Sequence, residues 1–339
     1  MTHPAARFRL HYFAFCALSA AACTTGPELR PQQGVASPGI AATTPIAPPS
    51  AVQPPPVSKA NTAAAPAPLE GAKGAAPAYN LAADLEAREK ELKDELGKRT
   101  ATALAGKVFL LASPAGAGAL AGPLDITRRA LEALTNGRFG RRPARAISVL
   151  LFPEAGSYSA HCQKRYARAC TSPYGFYVHS ERRIVMNVGL GVGTLTHELV
   201  HPMVEADFPQ APDWLNEGIA SLYEQFSMPK KGEIYGWKNW RHPRLLQGLR
   251  SKRESSLATP AALFDMSDDT FRGEREDLNY ATARYFCQWL DQKKLLWAFY
   301  ARYRDTHASD PSGRSAFTQT LGKTPEEAST EWSRWVRAL

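Results

Sequence analysis

Two histidines four residues apart, with a glutamate beside the first, stand in His197-Glu198-Leu199-Val200-His201. On a helix, residues four apart lie one above the other on one face, so His197 and His201 can hold a metal ion between them. Glu198 sits about a hundred degrees round the axis from His197. From there it can reach a water on the ion without taking a ligand position. Two neutral imidazoles and an open position suit Zn²⁺, and the adjacent carboxylate suits a general base. The alternative is an amphipathic helix with two surface histidines. Leu195, Leu199 and Val200 weigh against it, because they supply the apolar face of a packed helix.

The elements that must carry these groups follow from the flanks. Thr194 is the candidate cap of this first helix, after the run Gly189-Leu190-Gly191-Val192-Gly193. Pro202 follows the second histidine directly, lacks a backbone donor and clashes one turn back, which predicts a kink or an early helix end. A site of this kind needs a third protein ligand. Glu217 lies sixteen positions beyond His201, in Pro212-Asp213-Trp214-Leu215-Asn216-Glu217-Gly218-Ile219-Ala220. Asp213 is a candidate N-cap, and Trp214–Phe226 reads as the next helix, with Leu215, Ile219, Leu222 and Phe226 on one side. Glu217 in its first turn or so would also serve as an ordinary favourable charge near a helix N-terminus, so the residues alone leave both roles open.

HELVH followed by WLNEGIASLYE resembles the gluzincin zinc metallopeptidases of the peptidase MA-like superfamily. WLNEGIA is especially similar to the WLNEGFA block of the zinc aminopeptidases, whose Glu is the third ligand, and the resemblance implies that role for Glu217. It covers roughly Lys107 to Leu339. It implies a Zn²⁺ cofactor, hydrolysis of peptide bonds, and a helical subdomain after Phe226 that forms the far wall of a cleft. In the aminopeptidases a Tyr on a helix roughly sixty residues past the third ligand stabilises the tetrahedral intermediate, and Tyr280 sits at a similar distance. The ordinary alternative is a core tyrosine with a locally bonded hydroxyl. Tyr285, Tyr223, Tyr235 and His242 are weaker candidates. Gluzincins also commonly place the strand just before the HExxH helix at the sheet edge, where it pairs with extended substrate; that role would fall on Arg183–Val188, and the alternative is a plain core hairpin. The spacer between His201 and Glu217 is shorter than in the aminopeptidases. The GxMEN block that recognises a free amino terminus is absent, with Arg183-Ile184-Val185-Met186-Asn187 standing in its place. Both departures point to endopeptidase-like or unknown specificity. In thermolysin-like relatives an Asp four residues after the Glu supports a ligand His. That position is Ser221 here, so this His must be supported differently.

The chain begins with Arg7 and Arg9 followed by an apolar, small-residue stretch, Leu10–Ala22, and Cys23. Residues 1–22 read as a secretory signal, too short for a spanning helix. The run Ala20-Ala21-Ala22-Cys23 looks like a lipobox, which implies lipidation of Cys23 and anchoring to the outer membrane or cell surface; the alternative is an ordinary cleaved signal. Residues 23–79 are rich in Pro and Ala and too poor in aromatics to bury a core, so a disordered tether is expected. Residues 80–105 contain a charged helix over Asn80–Arg99, with Leu81, Leu85, Leu92 and Leu96 on a narrow face that suits packing on the next domain better than a short coiled coil.

From 106 to 339 the composition is globular. Strands are expected at Val108–Leu111 and Ala146–Phe152, a helix over Ile126–Leu134, and a hairpin of Tyr174–His179 with Arg183–Val188. Beyond Phe226, Pro243–Arg250, Leu278–Leu290, Lys294–Tyr303, Arg314–Leu321 and Pro325–Ala338 have helical spacing. The fold class is therefore α+β, a small mixed sheet packed on the HExxH helix and followed by a mostly helical C-terminal subdomain. Cys162 and Cys170 are spaced to close a small disulfide loop in an oxidising compartment, and Cys287 reads as buried and unpaired. The net charge of +9 and the cluster Arg138, Arg141, Arg142 and Arg145 read first as a solvated basic loop, with anionic lipid or wall polymers as the alternative partner. No aromatic-interleaved basic pattern suggests nucleic acid. The expected function is a lipid-anchored zinc peptidase acting on protein or peptide substrates at the cell envelope, with Glu198 as base and Tyr280 as oxyanion donor. The competing reading is an inactive lipoprotein that keeps the fold for wall or partner binding; retention of Glu198 and of all the ligands favours the enzyme.

Overall fold

In the computed structural model, residues 78–339 are described. The signal, Cys23 and nearly all of the tether lie outside them. Leucines at helical spacing and three (i, i+4) ion pairs build the first element, α1 (Leu81–Leu96), capped by the Asn80 side chain accepting from Ala83 N. After it come β1 (Ala101–Ala105), β2 (Phe109–Ser113), α2 (Ala117–Thr135), β3 (Ile147–Phe152), α3 (Ala155–Tyr166), β4 (Gly175–Val178) and β5 (Arg183–Asn187). The strands form one sheet in the order β1-β2-β3-β5-β4. β2, β3 and β5 run parallel, while β1 and β4 are antiparallel to their neighbours.

Alternation along the strands sends side chains to two buried faces, as the two-residue period requires. Leu111, Val149, Leu151, Ile184 and Met186 face the main core. Leu110, Ala112, Leu150, Phe152 and Val185 face a second cluster closed by Leu92 of α1 and by Tyr158 and Cys162 of α3. α1 thus packs on the back of the sheet, as its leucine stripe predicts. Arg183 is buried there, between Glu91 and Glu95, each at 2.8 Å.

The front of the sheet packs on α4 (Gly193–Asp207), which carries the HExxH residues and buries Leu195, Leu199, Val200, Met203 and Val204. Two local readings are corrected here: the Thr194 cap and, of the kink or early end expected at Pro202, the early end. Thr194 is not the cap: the helix starts at Gly193, after Val192, with no side-chain cap bond. Pro202 does not end it either. The lost bond to the Glu198 carbonyl is outweighed by burial of Pro202, Met203 and Val204 on both sides of the break, and the helix runs five residues further. α5 (Asp213–Leu222) follows, with Pro212 rather than Asp213 at its cap position, and it ends four residues before Phe226. β6 (Phe226–Ser227) and β7 (Tyr235–Gly236) make a short hairpin. The C-terminal half is helical: α6 (Arg241–Arg250), α7 (Pro260–Phe264), α8 (Asp268–Phe271), α9 (Glu276–Gln292), α10 (Leu296–Thr306), α11 (Arg314–Leu321) and α12 (Pro325–Ala338). No helix among the described residues is long and apolar enough to cross a membrane.

The sheet order corrects one expectation. Arg183–Asn187 is not the edge strand; it lies between β3 and β4, and the edge next to α4 is β4. Cys162 and Cys170 are joined in a disulfide that ties α3 to the loop entering β4. Cys287 is buried and unpaired. Of the basic cluster, Arg138 leaves the solvated loop and donates to the carbonyls of Ala133 and Ile234.

Candidate metal centre

α4 and α5 meet at an angle set by two close approaches. A Cβ on Gly193 would lie 2.1 Å from the Glu224 carbonyl oxygen, and one on Gly218 would lie 2.9 Å from Ala283 O and from Cys287 Sγ. The first contact brings the chain leaving α5 against the start of α4. The second seats α5 on α9. Between them the helices press His197, Glu198, His201 and Glu217 into one buried place.

The two imidazoles are arranged alike. His201 Nδ1 faces Asn216 Oδ1 at 3.0 Å, and His197 Nδ1 faces Glu224 Oε1 at 3.5 Å, an electrostatic contact too long for a formed hydrogen bond. An acceptor at Nδ1 favours the tautomer whose Nε2 lone pair is free, the state a metal ligand needs. The Nε2 atoms point inward, His197 to Glu217 Oε2 at 3.3 Å and His201 to Glu198 Oε2 at 3.7 Å. Ligand-capable atoms of His197, Glu198 and His201 all lie within 4.8 Å of one another. Glu217 stands just outside that trio by this measure, although it touches His197. Its Oε1 accepts from Arg272 Nη2 at 2.6 Å, while its buried Oε2 faces His197 Nε2 at 3.3 Å. Two imidazole nitrogens and a carboxylate oxygen are ligand types that Zn²⁺ takes, and Glu198 lies beside the two histidines.

Burial and mutual charge set the protonation of the metal-free cluster. Burial lowers the His197 pKa, but its contact with Glu217 and the charges of Glu198, Glu217 and Glu224 outweigh it, so it is raised to about 9. His201 is pushed down to about 4, by burial first and then by the His197 charge, against the pull of Glu217. Glu198 is raised to about 7, by burial and by Glu217 and Glu224. Glu217 is held far below the ordinary carboxylate range, because His201, His197 and Arg272 together overcome its burial.

The site opens into a cleft of about 1110 Å³. Edge strand β4 with the residues around it lines the cleft, and so do Trp240, Arg241, Arg272 and Tyr280 from the helical half. Tyr177 of β4 donates to Glu205, one turn after His201, at 2.9 Å, which fastens the edge strand to α4. Tyr280 is on the cleft as expected, half-buried, with its hydroxyl against Arg272 Nη1 and its ring beneath the Arg241 guanidinium. The other candidates lie off the cleft. The Tyr285 hydroxyl accepts from Asn239 N, His242 Nε2 faces the Val336 carbonyl, Tyr223 is buried, and Tyr235 is on the outside.

Four supporting residues escaped the sequence reading. Asn216 was in view, directly before Glu217. Glu224, two residues beyond the end of α5, faces His197 Nδ1 where Ser221 does not, and the end of the helix leaves no regular spacing that could have pointed to it. It is held by Arg241 at 2.7 Å and by Asn239 Nδ2 at 2.8 Å. Arg241 and Arg272 come from the helical half and have no local signature. Comparison with known protein families gives no matching family model, and comparison with curated proteins gives no match.

Proposed function

We propose that this chain is a zinc-dependent peptidase of the gluzincin type that hydrolyses protein or peptide substrates at the cell envelope, anchored through a lipid on Cys23. One observation carries the reading: buried His197 Nε2 lies 3.3 Å from one oxygen of buried Glu217, whose other oxygen is taken by Arg272, with Glu198 in the same pocket. Zn²⁺ held by His197, His201 and Glu217 would polarise a carbonyl and acidify water there. The chain's own groups supply the rest. Glu198, buried beside the two imidazoles, can take a proton from water and return it to a leaving amine. Arg272 can only donate, so the Tyr280 oxygen accepts from it and the phenolic proton remains free for a substrate oxygen. The cleft side of β4 carries no strand among the described residues and offers main-chain groups to an extended peptide. Tyr174, Leu190 and Trp240 are exposed on the cleft and suit apolar side chains.

The test is digestion of a mixed peptide library by the full chain, read by mass spectrometry, with the metal content measured on the same sample. About one zinc per chain, cleavage, its loss to a chelator and its return with Zn²⁺ are expected. Cleavage that survives removal of all metal, or a metal-free protein that takes up no Zn²⁺, would contradict the reading.

A further inference from the structure

Arg272 lies outside every sequence block that suggested the metal centre, yet it touches that centre directly. Its Nη2 donates to Glu217 Oε1 at 2.6 Å, its Nε to Asp213 Oδ2 at 2.8 Å, and its Nη1 to the Tyr280 hydroxyl. Asp213 and Glu217 are four apart on α5, so one guanidinium spans two carboxylates stacked on one helix face. The base of the side chain is fixed as well. Arg272 ends α8, whose cap Ser267 accepts from Thr270 N, and Asp268 Oδ1 of α8 accepts from Asp213 N at 2.8 Å. Arg272 therefore has no freedom to leave Glu217 without breaking three contacts.

A pair as exposed as Arg272–Asp213 adds little stability by itself. Arg272 has a different consequence at its buried end. A carboxylate offers a metal one oxygen or two. Here one oxygen is occupied by a guanidinium and the other is buried, 3.3 Å from the ligand-capable His197 Nε2. We propose that Arg272 is a positioning residue that restricts Glu217 to one-oxygen ligation, and so keeps the metal four-coordinate with a position free for substrate or water. The inference rests on the metal-site reading above and adds a residue and a coordination mode to it.

Co²⁺ bound to the full chain is the probe, because its visible absorption reports coordination number. The wild type is expected to bind about one Co²⁺ per chain with a strong four-coordinate band. Arg272→Met frees the second Glu217 oxygen; absorption per cobalt should fall about two- to threefold as the ion gains a fifth ligand. Arg272→Lys keeps a donor for Glu217 Oε1 and should restore the band. Asp213→Asn, which removes one of the three holds on Arg272, should give a smaller fall in the same direction, and it carries the test if Arg272→Met does not fold. A folded Arg272→Met protein with the wild-type band, or an Arg272→Lys protein that loses it as fully as Arg272→Met, would overturn the inference while leaving the metal site standing. Failure of the wild type to bind Co²⁺ or Zn²⁺ would remove both.

Discussion

Glu198 is an acid placed where its charged form is disfavoured, and this gives the metal-free protein a measurable pH signature. Its folded pKa is raised from 4.5 to about 7 by burial and neighbouring carboxylates. Between those values the folded state binds a proton that the unfolded state has released, so stability falls as pH rises through the window, and the full penalty is present above it. Metal-free Glu198→Gln should therefore melt above metal-free wild type at pH 8, by at most about 3 kcal/mol, and the gap should close by pH 4. Equal melting at both pH values would show that Glu198 is not buried among like charges. A second residue-scale expectation concerns Glu224. Glu224→Gln removes the charge facing His197 Nδ1 and should weaken Zn²⁺ binding by about ten- to a hundredfold in a chelator competition. His197, Glu198 and His201 were legible because spacing on one helix brings them together, whereas Glu217 was singled out by the resemblance of the WLNEGIA block. Arg241 and Arg272 were not legible, since their proximity is created by helices packing across long stretches of chain, and Glu224 was not because it lies past the end of α5.

At the scale of elements, the same distinction separates strands from sheet order. The apolar runs announced β2, β3 and the β4–β5 hairpin, but no local pattern says which hairpin strand faces outward. That depends on β5 pairing with β3, a contact more than thirty residues away. α3 was missed because its buried face is Tyr158, His161 and Cys162, residues that do not read as an apolar stripe. Helix α5 is seated by a glycine: Gly218→Val would drive a branched side chain into Ala283 O and Cys287 Sγ. Overpacking of this kind costs about 1–3 kcal/mol, and the shift of α5 should weaken Zn²⁺ binding as well, since Glu217 is the adjacent residue. Thermal melting with and without Zn²⁺ measures both effects. The disulfide anchors the loop that leads into the edge strand. Cys170→Ser should cost about 2 kcal/mol by the loop-entropy argument, read as a lower denaturant midpoint.

For the whole molecule, α1 belongs with the sheet and cannot be removed with what precedes it. It contributes Leu92 to the second core cluster and two of the carboxylates around Arg183. A protein starting at Gly97 should express as insoluble or unmelting material, because the face formed by Leu110, Leu150 and Val185 would lie open to water, at about 2 kcal/mol for each large side chain exposed. One starting at Ala78 should melt like the full chain. The α+β class and the helical second half were readable from periodicity, whereas the seating of Arg241, Arg272 and Tyr280 on the same cleft as β4 required the packed molecule. The most direct test of the central claim sets the full chain beside its Glu198→Gln variant, with zinc content and casein hydrolysis measured on the same preparations. The variant should hold about one zinc per chain, as the wild type does, while its turnover falls by about two to four orders of magnitude. A Glu198→Gln protein that cleaves casein at the wild-type rate, or one that folds but has lost its zinc, would contradict the account.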